Sequence, residues 1–293
     1  MTLVSRLLLV CVILGLSAVA RRSQAVEPAW RDEWPRFRPW EYGLTAGAAA
    51  IAVGARFVVR DPPPTWRGGI LFDDGVRDLI AVRHEPSRVV VAISTHVLAA
   101  TSVAHNVFDS TLVPGEIHDD WDLAGQMLLI DAESYAVMAA VLFGTQVFVG
   151  RERPIVRRCS DPVVKNSDRA CDPQDSQRNR SFVAGHTALG FTAAGLSCAH
   201  HTHIPLYGGG TADTLACAGA LGWASLLGVG RVMSDNHYAT DTLLGAALGL
   251  AAGWLLPLAL HYGFESGEAA PATSTQPLSA TRPVELVVYA GAF

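Results

Sequence analysis

Long apolar segments alternate with short polar stretches along this chain, and prolines and glycines gather in the polar stretches. The apolar residues lack the strict alternation of a half-exposed β-strand, and most segments are too long for buried strands, so they are typical of helices. The pattern predicts helices over residues 43–60, 88–107, 122–149, 183–200, 212–230 and 238–261. We therefore expect an all-α fold, a helical bundle of about six core helices with its active site at one end.

The composition favours a membrane protein or a heavily buried bundle, because 50% of the residues are hydrophobic and only 17% are charged. By length and purity, residues 243–260 qualify as a membrane span, and residues 43–60 are a second candidate. Asp131 and Glu133 would be costly against lipid, so we expect them inside the bundle. The net charge of −5 argues against a nucleic-acid partner. Hydropathy leaves membrane-embedded and soluble bundles both open.

The start of the chain has the features of a secretion signal. Arg6 precedes an apolar run, and sites with small residues suitable for cleavage follow it. We predict that residues 1–25 are a signal peptide or an uncleaved anchor, and that the protein is exported in either case. Residues 26–264 would then form the helical domain, and residues 265–293 a linker and C-terminal tail.

The cysteine pattern fits an exported protein. Cys159 and Cys171 lie in one polar loop, and Cys198 and Cys217 flank another. An even set of this kind suggests two disulfides. The alternative is that the loop pair is bonded while the other two remain buried thiols.

Three polar blocks fall at helix ends that meet at one end of an up-and-down bundle. Arg153 and Arg231 would hold a phosphoryl group through bidentate hydrogen bonds. Gly185 lies in the first turn of a helix that Ser181 would cap, where free N–H groups favour an anion. Gln146 is seven residues before Arg153, so both would face the same side if the helix continued that far.

The same end of the bundle collects the groups needed for acid–base and nucleophilic chemistry. His237 and Asp241 are four residues apart, so the carboxylate would reach the imidazole, fix its tautomer and raise its basicity. His237 would then be the nucleophile. His186 would protonate the leaving oxygen as general acid.

These blocks resemble the type 2 phosphatidic acid phosphatase (PAP2) family, whose superfamily also includes bacterial acid phosphatases and vanadium haloperoxidases. The family pattern is Lys-x6-Arg-Pro, then Pro-Ser-Gly-His, then Ser-Arg-x5-His-x3-Asp. Within residues 122–261 the chain matches it at Arg153-Pro154, Gly185-His186 and Arg231-x5-His237-x3-Asp241. The resemblance implies a helical core, a phosphohistidine intermediate on His237 and no metal in the phosphatase reaction.

Three positions depart from the family pattern: Gln146 replaces Lys, Val183-Ala184 replaces Pro-Ser, and Gly230 replaces Ser. Losing one preorganised donor typically costs about 10²–10³ in rate. Arg151 or Arg157 are alternative sources of the missing charge. The acid, the nucleophile and the orienting carboxylate remain, which favours a working enzyme.

The sequence therefore predicts a phosphoric ester hydrolase that acts on a phosphorylated lipid or a small phosphate ester, at a membrane and without a cofactor. The alternatives are a non-catalytic binder of phosphate or lipid headgroups, and a vanadium-dependent haloperoxidase. Vanadate would inhibit the ester hydrolase, whereas it would be the cofactor of the haloperoxidase. A metal site at His200, His201 and His203 is disfavoured, because no acidic or cysteine partner lies nearby in sequence.

The predicted location is the inner membrane with a periplasm-facing active site, or the periplasm itself. Six spans with the active site outside require the chain to enter the first helix from the cytoplasm. A cleaved signal would place the start of that helix on the outer side instead, so the two predictions conflict. The conflict disappears if the leader is uncleaved, if the helix at 43–60 lies on the surface, or if the bundle is periplasmic. A disulfide between Cys198 and Cys217, far from the site, would favour the last.

Overall fold

A computed structural model describes residues 27–58 and 63–263, and within these ranges the regular elements are helices, with no β-strand. The α-helices are α1 Pro39–Val53, α2 Asp73–Ile80, α3 Glu85–Val107, α4 Trp121–Val149, α5 Pro162–Ser167, α6 Gly185–His203, α7 Thr211–Met233 and α8 Ala239–Leu250. The predicted all-α fold class is confirmed. The predictions for residues 1–25 and 265–293 fall outside the described residues.

Three of the long helices continue with wider, π-helical turns. These extend α1 through Gly54–Val58, α3 through Phe108–Ile117, and α8 as far as Tyr262. All six predicted core helices are present, with ends shifted by a few residues. The short helices α2 and α5 were not predicted, because eight or six residues are too few for a periodic apolar pattern.

Helix α6 lies at the centre of the bundle and is buried along most of its length, packed against α3, α4, α7 and α8. Its contact with α8 is close because α8 carries glycines at every fourth position. Any Cβ added at Gly245, Gly249 or Gly253 would overlap the α6 backbone, at the carbonyls of Ala184, Ala188 and Thr192 respectively. Such spacing lets two helix backbones approach directly.

Among the described residues, four helical stretches are long and apolar enough to cross a membrane: Glu85–Ile117, Trp121–Val149, Thr211–Met233 and Ala239–Tyr262. The prediction at 243–260 is confirmed. The described part of α1 is not among the four, so the prediction of a span at 43–60 is not supported. Asp131 and Glu133 are 2% and 1% exposed, as expected for acidic residues inside a bundle.

Both predicted disulfides are present. Cys159 is bonded to Cys171 in the loop after α4, and Cys198 of α6 is bonded to Cys217 of α7. The second bond joins the central helix to its neighbour, so the alternative of two buried thiols is wrong.

One end of the bundle, called the mouth from here on, is formed where α4 and α7 end and where α6 and α8 begin. It also includes the loops at 150–184 and 234–238. The opposite end is called the far end. Helix α4 stops at the mouth because Gly150 adopts the left-handed region, with φ of 51°, and its N–H donates to the Gln146 carbonyl.

Candidate active site

Most of the predicted site residues meet at the mouth. Gln146, Arg153, Gly185, His186 and His237 line one cavity of about 450 Å³. Arg231 lines an adjoining cavity of about 580 Å³, whose wall also includes Arg153 and His186. The expected convergence of helix ends is therefore present. Asp241 is the exception, because it lines neither cavity.

His237 is 2% exposed, and a single hydrogen bond determines its tautomer. Its Nδ1 lies 2.7 Å from the carbonyl oxygen of Ser181, which can only accept, so Nδ1 carries the proton. The lone pair is then on Nε2. Burial, together with the charges of Arg231 and Arg153, holds the pKa of His237 well below its usual range. His237 is consequently a neutral imidazole with a free lone pair, as a nucleophile requires.

The predicted contact between Asp241 and His237 is wrong. The Asp241 carboxylate accepts from Arg151, from the Ser181 hydroxyl at 2.6 Å and from the Tyr238 N–H at 2.9 Å. The i, i+4 geometry fails because α8 begins at Ala239, so His237 precedes the helix while Asp241 caps it from its first turn. Asp241 reaches His237 only through Ser181, whose hydroxyl binds one and whose carbonyl binds the other.

Ser181 therefore has a different position from the predicted helix cap. Helix α6 begins at Gly185, and its N-cap is Ala184, whose side chain makes no capping hydrogen bond. The backbone N–H groups of the first turn of α6 remain available at the mouth, as predicted for an anion site.

His186 lies in that first turn, on the cavity wall, with its ring edge-on to His96 at 4.6 Å between centroids. Like His237, it is outside the four candidate spans. Burial lowers its pKa to about 3, with further contributions from the charges of Arg231, His96 and Arg153. In the free site it is therefore neutral at pH 7, and it can act as an acid only after an anion enters beside it.

Within residues 27–58 and 63–263, the two clamp arginines are hydrogen-bonded to neutral groups alone. Arg153 donates to Asn236 Oδ1 at 3.1 Å and to Gln177 Oε1 at 3.2 Å, and Arg231 donates to Thr95 Oγ1 at 3.2 Å. Neither guanidinium has a carboxylate within ion-pair distance in the described residues, and the Nε of each is buried without a hydrogen-bond partner there. Their charges are thus available to an anion.

Gln146 does not occupy the position predicted for it. Helix α4 ends at Val149, so Gln146 and Arg153 do not share a helix face. The Gln146 Nε2 donates instead to the Val183 carbonyl at 2.9 Å, which links the end of α4 to the loop that leads into α6. Gln146 therefore lines the cavity, but its amide nitrogen is occupied by this hydrogen bond.

The suggested substitutes for the missing lysine are also elsewhere. Arg151 is 0% exposed and pairs with Asp73 at 2.7 Å and with Asp241, while Arg157 pairs with Asp74 at 2.7 Å. The sequence interpretation missed Arg180 and Arg56, which line the cavity from the loop before α6 and from the end of α1. No motif marks either one, and only the packing of α1 against α4 brings Arg56 to the mouth.

Beyond the polar mouth, the cavity is apolar. It extends between α3, α4 and α6, with walls of Val103, Tyr135, Met138, Leu142 and Leu189. The polar groups are gathered at one end of this slot. Such a shape suits a ligand with a charged head and a hydrocarbon body.

The far-end histidines have acidic partners that sequence proximity did not reveal. His200 Nε2 lies 2.9 Å from Asp131 Oδ1, and its Nδ1 lies 2.8 Å from the Tyr262 hydroxyl. His201 lies between Asp213 at 2.6 Å and Asp109 at 3.2 Å. The partners come from other helices, so both rings are held in satisfied hydrogen-bond networks.

Comparison with known proteins gives a family match over the region that builds the mouth. Residues 129–265 match the model of the PAP2 superfamily, a little under half of the chain. Lipid A 1-phosphatase of Porphyromonas gingivalis is 29% identical over 131 residues, which are 45% of this chain and 23% of that protein. The match thus spans about a quarter of that relative.

Among solved structures, a transmembrane PAP2-type phosphatidylglycerolphosphate phosphatase from Bacillus subtilis matches with a TM-score of 0.44 and 18% sequence identity. The match covers 74% of this chain and 93% of that one. The family model includes every residue of the three motif blocks. Over residues 129–265, this chain is therefore similar to the PAP2 superfamily.

Proposed function

We propose that this protein is a lipid phosphatase that hydrolyses a phosphate monoester through a phosphohistidine on His237. The observation that carries the proposal is the state of that side chain. It is buried and neutral, its Nε2 lone pair is free, and it shares the mouth with two guanidiniums that have no carboxylate partner in the described part of the chain. A nucleophile of this kind beside an anion clamp suits phosphoryl transfer.

The reaction proceeds in two displacements. Arg153, Arg231 and the first N–H groups of α6 hold the phosphoryl oxygens. The Nε2 lone pair of His237 forms the N–P bond as the P–O bond to the lipid breaks, and His186 gives its proton to the leaving oxygen. Water then attacks phosphorus, the N–P electrons return to Nε2, and His186 takes the proton of the water.

When the substrate binds, His186 takes up from solvent the proton that it donates. Its pKa of about 3 in the free site reflects burial among positive charges. A phosphate dianion bound between His186 and the arginines offsets those charges and raises the pKa. Binding thus prepares the acid for the first displacement.

A lipid substrate is favoured by the shape of the cavity and by its setting. The apolar slot continues from the phosphate groups, and candidate membrane spans surround the site. The relation to a protein named lipid A 1-phosphatase agrees with this class. Because the described residues that line the slot supply cations and imidazoles rather than carboxylates, we propose catalysis without a metal at the mouth and inhibition by vanadate.

The test is phosphate release by the detergent-purified chain, with phosphatidic acid in mixed micelles and p-nitrophenyl phosphate as substrates. His237→Ala should lower turnover to below about one-thousandth of the wild-type value. His84→Ala, at an exposed histidine outside both cavities, is the matched control and should keep full activity. Turnover that survives His237→Ala contradicts the mechanism. Tight phosphate binding by the wild type without turnover of either ester supports the non-catalytic binder instead.

A further inference from the structure

Three helices meet in a buried cluster far from the mouth. Glu41 in the first turn of α1, Glu133 in α4 and His261 at the end of α8 are each at most 1% exposed. One potential ligand atom from each lies within 4.8 Å of the other two. Nε2 of His261 is 3.7 Å from Oε1 of Glu41 and 4.0 Å from Oε2 of Glu133. The site is separated from the mouth by most of the length of α8, about 30 Å.

The protonation of His261 can be read from its other ring nitrogen. Nδ1 lies 2.9 Å from the carbonyl oxygen of Pro35, an acceptor, so Nδ1 carries a proton. The Nε2 atom faces the two carboxylates at distances too long for hydrogen bonds. Neither Nε2 nor Oε1 of Glu133 has a hydrogen-bond partner among residues 27–58 and 63–263. Nε2 of His261 is thus a buried ring nitrogen without a hydrogen-bond partner there that faces one oxygen of each carboxylate, and the other oxygen of Glu133 also lacks a partner.

The charges of the cluster are incompletely balanced. Arg38 donates to Oε1 of Glu41 at 2.8 Å, which neutralises one carboxylate. Within the described part of the chain, Glu133 has no Lys or Arg in ion-pair distance, and the guanidinium of Arg38 interacts with it only at longer range. A buried carboxylate is costly unless a cation accompanies it. A positively charged ligand at the centre of the cluster would supply that charge.

We propose that Glu41, Glu133 and His261 bind a divalent transition-metal ion, with Zn²⁺ as the best match, and that this ion joins α1, α4 and α8. One imidazole nitrogen and two carboxylate oxygens form a ligand set that Zn²⁺ accepts at about 2.0–2.2 Å. Adjacent ligand atoms at such lengths are separated by about 3.3 Å in a tetrahedral site, so small side-chain rotations would close the present spacing.

The surroundings of His261 fit a structural role for the ion. The hydrogen bond from Nδ1 to a backbone carbonyl is the outer-shell contact that orients metal-binding histidines. Phe37 stacks on the ring at 6.1 Å, and Trp30 meets it edge-on at 6.3 Å. The cluster is enclosed and does not open into the mouth cavities. An ion there would hold helices together rather than contact substrate.

The first test measures metal content in the tag-free, full-length chain, stripped with a chelator and then dialysed against Zn²⁺. We expect about one Zn²⁺ per wild-type chain and less than about a tenth of that in Glu133→Gln and in His261→Asn. The matched control is Asp122→Asn, an exposed carboxylate on the same helix, which should bind like the wild type. Wild-type content near zero, or full content in both cluster variants, overturns the proposal.

The second test needs no variant and therefore does not depend on variants folding. Thermal unfolding of the stripped wild-type chain is followed with and without added Zn²⁺, with Mg²⁺ as control. At free Zn²⁺ of about 100 times Kd, the folding equilibrium constant should rise about 100-fold and the Tm with it. Mg²⁺ should have little effect, because it disfavours an imidazole ligand. A Tm that responds to neither stripping nor Zn²⁺ overturns the structural role. Both tests are independent of phosphatase activity.

Discussion

At the scale of single residues, the mouth depends on which charges are paired and which are left unpaired. Arg151 is fully buried between Asp73 and Asp241 and so belongs to the scaffold, although it lies two residues from Arg153. Among the residues that the structure describes, Arg153 and Arg231 have only neutral partners. Burial, and after it the unpaired positive charge, lowers the pKa of both histidines, so anion binding and proton uptake are linked.

We therefore expect sulfate, whose charge is constant between about pH 4 and 8, to bind more tightly as the pH falls. The pKa of His186 is about 3 without an anion, and a bound anion raises it. At pH values between the pKa of the free site and that of the occupied site, anion binding is therefore accompanied by uptake of a proton. Affinity should increase by up to about tenfold per pH unit in that window. Isothermal titration calorimetry measures the slope.

His186→Asn removes the titrating group and should flatten the pH dependence of sulfate binding, whereas His84→Asn should leave it intact. A pH-independent affinity in the wild type, or a slope that persists in His186→Asn, would show that His186 is not the group that takes up the proton.

At the scale of elements, the position of His186 relative to His237 depends on how closely α8 approaches α6. The glycines at every fourth position of α8 face the carbonyls of α6, also at every fourth position. The contact starts at Ala184 and Gly245, next to the mouth. This contact therefore holds the start of α6, which carries His186, against the start of α8, which His237 precedes, without help from the loops.

Gly249→Ala should destabilise the protein by about 1–3 kcal/mol, because the new methyl group overlaps the Ala188 carbonyl and the Phe191 side chain. Thermal unfolding in detergent measures the loss as a lower Tm. Gly222→Ala on α7 is the matched control, since nothing lies within 4 Å of its added Cβ. Equal Tm values for the two variants would mean that α6 and α8 do not pack this closely.

At the scale of the whole molecule, the helix directions place the mouth on one side of any membrane that the four spans cross. The Cys159–Cys171 disulfide lies in the mouth loop, and disulfides persist in oxidising compartments. The Cys198–Cys217 disulfide lies nearer the far end and favours the alternative of a bundle wholly in the exported compartment. In both arrangements the mouth faces the exported side, and we propose that orientation.

Cysteine labelling in intact cells tests this orientation. In a Cys11→Ser background, a membrane-impermeant maleimide should label Arg67→Cys, an exposed mouth position. If the four spans cross the membrane, the reagent should label Ala212→Cys, exposed at the far end, only after permeabilisation. The reverse pattern contradicts the orientation. Equal labelling of both in intact cells points instead to a bundle that lies wholly in the exported compartment.

Local patterns in the sequence determined the helices, the convergence of the motif blocks and both cysteine pairs. The period and length of a helix depend on residues close together in sequence. The spacing between Arg231 and His237 can likewise be recognised without knowing which distant residues they contact. Short helices such as α2 carried too little pattern to be predicted.

Only the tertiary structure decided which side chains are used together. Asp241 was assigned to His237 by spacing, yet α8 starts two residues too late for that contact, and the carboxylate pairs with Arg151 instead. The Glu41–Glu133–His261 cluster joins residues from three distant segments and leaves no mark in the sequence. Helix patterning depends on local periodicity, whereas the charge and protonation of a buried group depend on everything packed around it.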